Sequence, residues 1–204
     1  MHFLSAVLTQ IDVFHLRVSK TADILCAHLH AVTGYSIMIR ACRPADAGAI
    51  AEIYNYYINE TVISFEQTPL SEAQMAERIA KISANYPWLV AEENGEILGF
   101  AYVALWQERV AYRHSLVTTV YLNRNHTGRG LGKALYEALF EALTSVDCRV
   151  LVAGIALPNA ASVALHEKVG FEKVAHFKDV GRKHGQWVDV GYWQKTINTD
   201  REFP

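Results

Sequence analysis

Three glycines, Gly128, Gly130 and Gly132, stand in the stretch NRNHTGRGLGKALYEALFEAL, Asn123 to Leu143, between a β-branched run and a long apolar helical pattern. Such a loop can hold a phosphate on bare backbone N–H groups, and the positive end of the following helix adds to the attraction. Lys133 brings a cation to the first turn. Two common phosphate loops fail on spacing. A P-loop has four residues between its glycines, then Lys and Ser or Thr; here Gly128 and Gly132 have three between them, and Ala134 follows Lys133. A dinucleotide fingerprint requires a third glycine where Leu135 stands, and belongs near the first strand rather than mid-chain. A second constellation lies in LPNAASVALHEKVGF, where Asn159, Ser162 and His166 at i, i+3 and i+7 share one face of a short helix. Alone, such a stripe reads as solvated surface. The nine histidines contain no H-x-x-x-H or H-E-x-x-H spacing, and no metal site is expected.

The elements that must position these residues alternate. SIMIRAC is a short strand, and a helix follows Pro44 with Ala47, Ile50, Tyr54, Tyr57 and Ile58 near one face. Ser71 and Gln74 form a capping box ahead of a helix with Met75, Ile79 and Ile82 as its stripe. WLVAEE and EILGFAYVAL are strands around Asn94-Gly95, a strong hairpin signal. SLVTTVYL is a strand, Leu135, Leu139 and Leu143 mark the helix after the glycine loop, and CRVLVAGI is a buried strand. The short helix from Asn159 to Lys168 stops at Gly170, and FEKVAHFKDVGRKHGQWVDVGYWQKTI holds two strands around a polar turn.

The chain of 204 residues is half apolar and 20% charged, in keeping with one globular domain. A net charge of −2 gives no footprint for nucleic acid, and no apolar run has the length of a membrane span. Three scattered cysteines, Cys26, Cys42 and Cys148, read as incidental thiols of a reduced, cytoplasmic protein. Residues 1–35 are apolar without a clean period and do not read as a signal peptide. They form an N-terminal extension, either preceding a natural start at Met38 or adding a helix that packs on the domain. The domain proper spans 36–197, with 198–204 as a tail.

The segment TTVYLNRNHTGRGLGKALYEAL resembles the coenzyme A-binding segment of the GCN5-related N-acetyltransferases (GNAT), although Thr127 stands where Gln or Arg is usual. The resemblance implies an α/β fold with a central mixed, mainly antiparallel sheet flanked by helices, and acetyl-CoA as co-substrate. It implies that Gly128, Arg129, Gly130, Leu131, Gly132 and Lys133 cradle the pyrophosphate. Backbone groups of Val120, Tyr121 and Leu122 would pair with the pantetheine arm like an added strand. Asn159 and Ser162 would touch pantetheine and phosphate, and His166 would protonate the departing thiolate. A backbone N–H near Val120 would stabilise the oxyanion. A cysteine-acyl route is not expected, since Cys148 heads a buried strand with no paired base.

Six segments in order, ISFEQTPLS, YPWLVAE, WQERVAYRHS, TTVYL, LPNAASVALHEKVGF and GRKHGQWVDVGYWQ, look like the phosphinothricin and methionine sulfoximine acetyltransferases. This implies a homodimer that acetylates the α-amine of a small amino-acid analogue in a ternary complex. The substrate side would include Phe65 as an apolar wall, Glu66, Arg109 as a bidentate oxyanion ligand and Tyr112 as a hydroxyl donor. The subfamily pattern V-E-x-T-V-Y places its base glutamate where this chain has Val117. An ammonium must lose a proton before it attacks, and valine accepts none. Three outcomes stay open: Glu66 or His114 serves as base, the enzyme runs slowly on free amine, or the substrate has been lost or changed. Two further readings remain, a GNAT enzyme acting on a peptide N-terminus or polyamine, and an acetyl-CoA-binding module without turnover.

Overall fold

A computed structural model describes residues 16–18, 25–30 and 36–203. Among these residues nine strands form one sheet in the order β1-β2-β3-β4-β5-β6-β7-β9-β8. They are β1 (Leu16–Val18), β2 (Leu25–His30), β3 (Ser36–Ala41), β4 (Trp88–Glu93), β5 (Glu96–Leu105), β6 (Ser115–Leu122), β7 (Val150–Leu157), β8 (Glu172–Lys183) and β9 (Gln186–Thr196). Every neighbouring pair is antiparallel except β6 with β7. The helices are α1 (Ala47–Glu60), α2 (Glu72–Ser83), α3 (Leu131–Ala142) and α4 (Ala160–Lys168). The expected mixed, mainly antiparallel sheet is therefore present. The described parts of residues 1–35 are strands, not the extra helix; the rest of that segment lies outside the described residues.

Alternation along the strands sends side chains to two cores, one on each face of the sheet. One core joins α3 to Leu98, Leu116 and Leu151, with Leu135 and Leu139 fully buried. The other joins α1 and α2 to Trp88, Val90 and Phe100, with Ile50, Ile58 and Met75 buried. Adjacent residues of β6 consequently face different helices. The Asn94-Gly95 turn has positive φ at both residues, 53° and 85°, as a tight two-residue hairpin requires. The capping box of α2 is formed: Gln74 N–H donates to Ser71 Oγ at 3.2 Å, and Ser71 N–H donates to Gln74 Oε1 at 2.8 Å. Tail residue Arg201 pairs with Asp147 at 2.7 Å, so the segment after β9 packs on the domain.

Candidate active site

The parallel pairing of β6 with β7 covers only Ser115–Val117 against Val150–Val152. Beyond it the two strands part. Thr118–Leu122 keep β5 on one side, and Ala153–Leu157 keep β9 on the other. A wedge opens between them, and backbone N–H and C=O groups that face into it have no strand partner among the described residues. Buried main-chain groups require partners, so a wedge of this kind suits an extended, amide-bearing ligand. Thr118–Tyr121 and Gly154–Ala156 wall a cleft of about 90 Å³, together with Asn159, which precedes α4, and Ser162 and His166 of α4. One expected contact is already taken, because the Tyr57 hydroxyl donates to the Leu122 carbonyl at 2.6 Å.

The cleft adjoins a groove of about 440 Å³ that runs past Val120–Leu122 to Gly128, Gly130 and the first turn of α3, with Ser162 and Leu165 opposite. Gly128 and Gly130 have φ of 77° and 81°, and no atom lies within 4 Å of where a Cβ would stand. These left-handed residues leave the turn open, while the orphan amides of α3 begin at Leu131. Gly132 serves packing: a Cβ there would lie 2.8 Å from a Leu165 methyl, so its absence lets α3 and α4 approach. Two expected cations are engaged elsewhere. Arg129 donates to Glu93 at 2.7 Å and ties the turn to β4, and Lys133 pairs with Glu137 one turn along α3. Lys133 and Lys168 still line the groove, so positive charge there comes from these side chains together with main chain and helix dipole. Open edge, αL turn and helix N-terminus together fit a coenzyme with a pantetheine arm and a pyrophosphate.

The stripe on α4 is internally wired. Asn159 Oδ1 accepts from Ser162 N–H at 3.1 Å and caps the helix. His166 is 4% exposed. Its Nδ1 lies 2.7 Å from the Ser162 carbonyl, which only accepts, so Nδ1 carries the proton. Its Nε2 accepts from the Tyr136 hydroxyl at 2.7 Å, and Tyr136 Oη accepts in turn from Thr118 Oγ1 at 3.0 Å. Burial holds the imidazole below its usual pKa, opposed by the Ser162 carbonyl. Burial also raises the Tyr136 phenol. The chain Thr118–Tyr136–His166 was not legible in the sequence. Tyr136 falls within an apolar helix stripe and Thr118 within a β-branched strand, where the pattern gives a hydroxyl no special weight.

On the α2 face, a groove of about 1120 Å³ is lined by Arg78, Lys81, Tyr102, Trp106, Arg109, Val117 and Thr119 among others. Thr119 also lines the wedge, so the two spaces meet there. Arg109 and Val117 lie in this groove, and Tyr112 packs edge-on against Trp106 with ring centroids 5.3 Å apart. Phe65 lies instead in a separate hollow of about 440 Å³ with Gly154, Ala156 and Val190. Glu66 accepts from Arg78 at 2.8 and 3.3 Å and from the Tyr54 hydroxyl at 2.9 Å. His114 lines none of these spaces; its Nδ1 lies 3.3 Å from the Asp147 carbonyl and its ring packs on Phe203. Cys148 is fully buried, and burial pushes its thiol up to about 12. A protonated thiol is a poor acyl acceptor.

Comparison with known proteins gives the geometry its family. Residues 39–191 match the model of the acetyltransferase (GNAT) domain. The chain is 36% identical to a phosphinothricin N-acetyltransferase of Streptomyces viridochromogenes, over 78% of this chain and 87% of that protein. It is 36% identical to an L-methionine sulfoximine/L-methionine sulfone acetyltransferase of Salmonella typhimurium, over 78% of this chain and 94% of that one. A phosphinothricin acetyltransferase of Sinorhizobium meliloti, solved in complex with acetyl-CoA, superposes with a TM-score of 0.77 at 36% identity, covering 81% of this chain and 92% of that one. The wedge, the αL turn and these similarities point the same way: this chain belongs to the GNAT family and is an acetyl-CoA-dependent N-acetyltransferase.

Proposed function

We propose that the enzyme acetylates the α-amine of a small amino-acid analogue of the phosphinothricin, methionine sulfoximine or methionine sulfone type. The observation that carries this reading is the junction at Thr119, which lines both the wedge and the α2-side groove, so that a coenzyme arm in the one would face an amine in the other. The substrates of the similar enzymes support it. In this reading Val120–Leu122, the turn Gly128–Lys133, Asn159 and Ser162 hold the coenzyme. Arg109 takes the acceptor's oxyanion, with Tyr112 and Phe65 completing the pocket. Arg109 and Phe65 line separate hollows within one chain, in keeping with a site completed by dimerisation. Glu66 is the carboxylate proposed to draw the ammonium's proton, through water or Tyr54, because Val117 cannot. His166 is proposed to return a proton to the thiolate. That step uses the imidazolium, with the Tyr136 and Thr118 hydroxyls turned to donate away from it, and leaves the imidazole neutral with Nδ1–H on the Ser162 carbonyl. A homodimer is supported by exposed Val174, Phe177, Val180 and Trp187 on β8 and β9. The catalytic domain is taken as 36–197. Cytoplasmic placement is supported by the free Cys42 and Cys148.

Thiol release from acetyl-CoA with the three analogues tests this directly, in wild type, Glu66→Gln and Val117→Glu. Turnover in wild type, lowered about 10²-fold or more by Glu66→Gln, is the expected result. Silence in wild type with activity gained in Val117→Glu would leave the substrate class standing and remove Glu66 as base. Silence in both, with acetyl-CoA still bound, would overturn the substrate class.

A further inference from the structure

Strand β8 reaches across to the loop that joins α1 to α2. Lys183, its last residue, is only 3% exposed. Its ammonium donates to the carbonyl of Ser64 and, at 3.3 Å, to that of Tyr57. Tyr57 belongs to the last turn of α1, whose carbonyls have no partner within the helix and favour a cation. Among the described residues no carboxylate is paired with this lysine, so its donors serve main chain. Burial disfavours this ammonium and Glu66 favours it through space without a hydrogen bond, so the main-chain contacts that offset the burial must be well defined. Two residues back on the same face, a Cβ on Gly181 would lie 2.3 Å from the Phe65 ring. The ring therefore occupies the space where any other residue would place its side chain. The held loop carries Ile63, which walls the wedge, the coenzyme groove and the hollow under Phe65 alike.

We propose that Gly181 and Lys183 form a latch that fixes residues 61–66 against β8 and thereby sets the acceptor side of the active site. Both are positioning residues: neither lies among the groups assigned to coenzyme or base. The latch governs amine recognition through Phe65. Through Ile63 it also borders the coenzyme groove, most of whose wall comes from β6, the α3 turn and α4, so coenzyme binding is affected less. This inference rests on the acetyl-transfer reading above for its kinetic consequence, but not for its structural one.

The full chain would be compared with Lys183→Met, Lys183→Arg, Gly181→Ala, Phe65→Ala and the double variant Gly181→Ala/Phe65→Ala. Steady-state kinetics would be read beside hydrogen exchange of the amides of residues 61–66. Lys183→Met is expected to raise the amine KM about tenfold or more, with partial rescue in Lys183→Arg, while the acetyl-CoA KM stays within about twofold. Exchange across 61–66 should quicken. Gly181→Ala keeps the lysine and should raise the amine KM by displacing the ring; the same change on the Phe65→Ala background should add little. An amine KM unmoved by both Lys183→Met and Gly181→Ala would overturn the latch, as would a coenzyme KM rising in step. Should wild type acetylate none of the amines, unchanged exchange in Lys183→Met sinks the latch and quickened exchange upholds it. The missing turnover then counts against the substrate reading alone.

Discussion

At the scale of single residues, the two sides of the wedge carry opposite problems of proton traffic. On the amine side the residue best placed by the family pattern is Val117, and Glu66, the carboxylate proposed as base, is shared between Arg78 and Tyr54 and lines none of the grooves described. On the thiolate side His166 is sealed and doubly bonded. Its depressed pKa has a sign that can be checked. The folded state favours neutral imidazole, so the unfolded chain takes up this proton first as pH falls through about 6.5. Wild type should lose stability on that acid side, whereas His166→Gln should lose less between pH 7.5 and 5. Urea midpoints at both pH values measure the difference. Equal losses would mean that the imidazole is as free to charge in the fold as outside it. Gly128 and Gly130 stood out by their spacing before a helix, and Asn159, Ser162 and His166 stood out only beside that loop, since alone such a stripe reads as solvated surface. Tyr136 and Lys183 were not, since a tyrosine in an apolar stripe and a lysine near a hairpin turn have ordinary roles in most sequences.

At the scale of elements, local chemistry foretold local structure well. The Asn94-Gly95 hairpin, the Ser71–Gln74 capping box and the stop at Gly170, with φ of 88°, formed as their residues dictate. Strands in residues 16–18 and 25–30 were not foreseen, because sheet extension depends on a neighbour's edge and leaves no period in a short apolar stretch. Two elements bear on the coenzyme. Asn159→Ala should cost about 1 kcal/mol through the lost cap of α4. Gly130→Ala should cost about 1–2 kcal/mol, because φ is 81° at the head of α3. Both should weaken acetyl-CoA binding in titration calorimetry. A Gly130→Ala variant of undiminished affinity would show that the turn does not need its left-handed form to hold the ligand.

At the scale of the whole molecule, the sheet has an edge at β8 that carries apolar side chains, Trp187 beside it being 62% exposed. Natural sheets seldom leave such an edge bare. Light scattering should find a dimer in wild type, and Phe177→Asp with Trp187→Asp should give a monomer with impaired amine turnover. A wild-type monomer of full activity would remove the second copy from the site.

The brief contact between β6 and β7 has a further consequence. Within the sheet, β1–β6 and β7–β9 are two plates joined by a ladder only as long as Ser115–Val117. An extended ligand lodged in the gap acts as a rivet: it adds rungs where the chain supplies none. Catalysis at this seam thus draws on bonds that reinforce the joint between the plates, which without ligand rests on the short ladder, the shared α3 core and the Lys183 contacts.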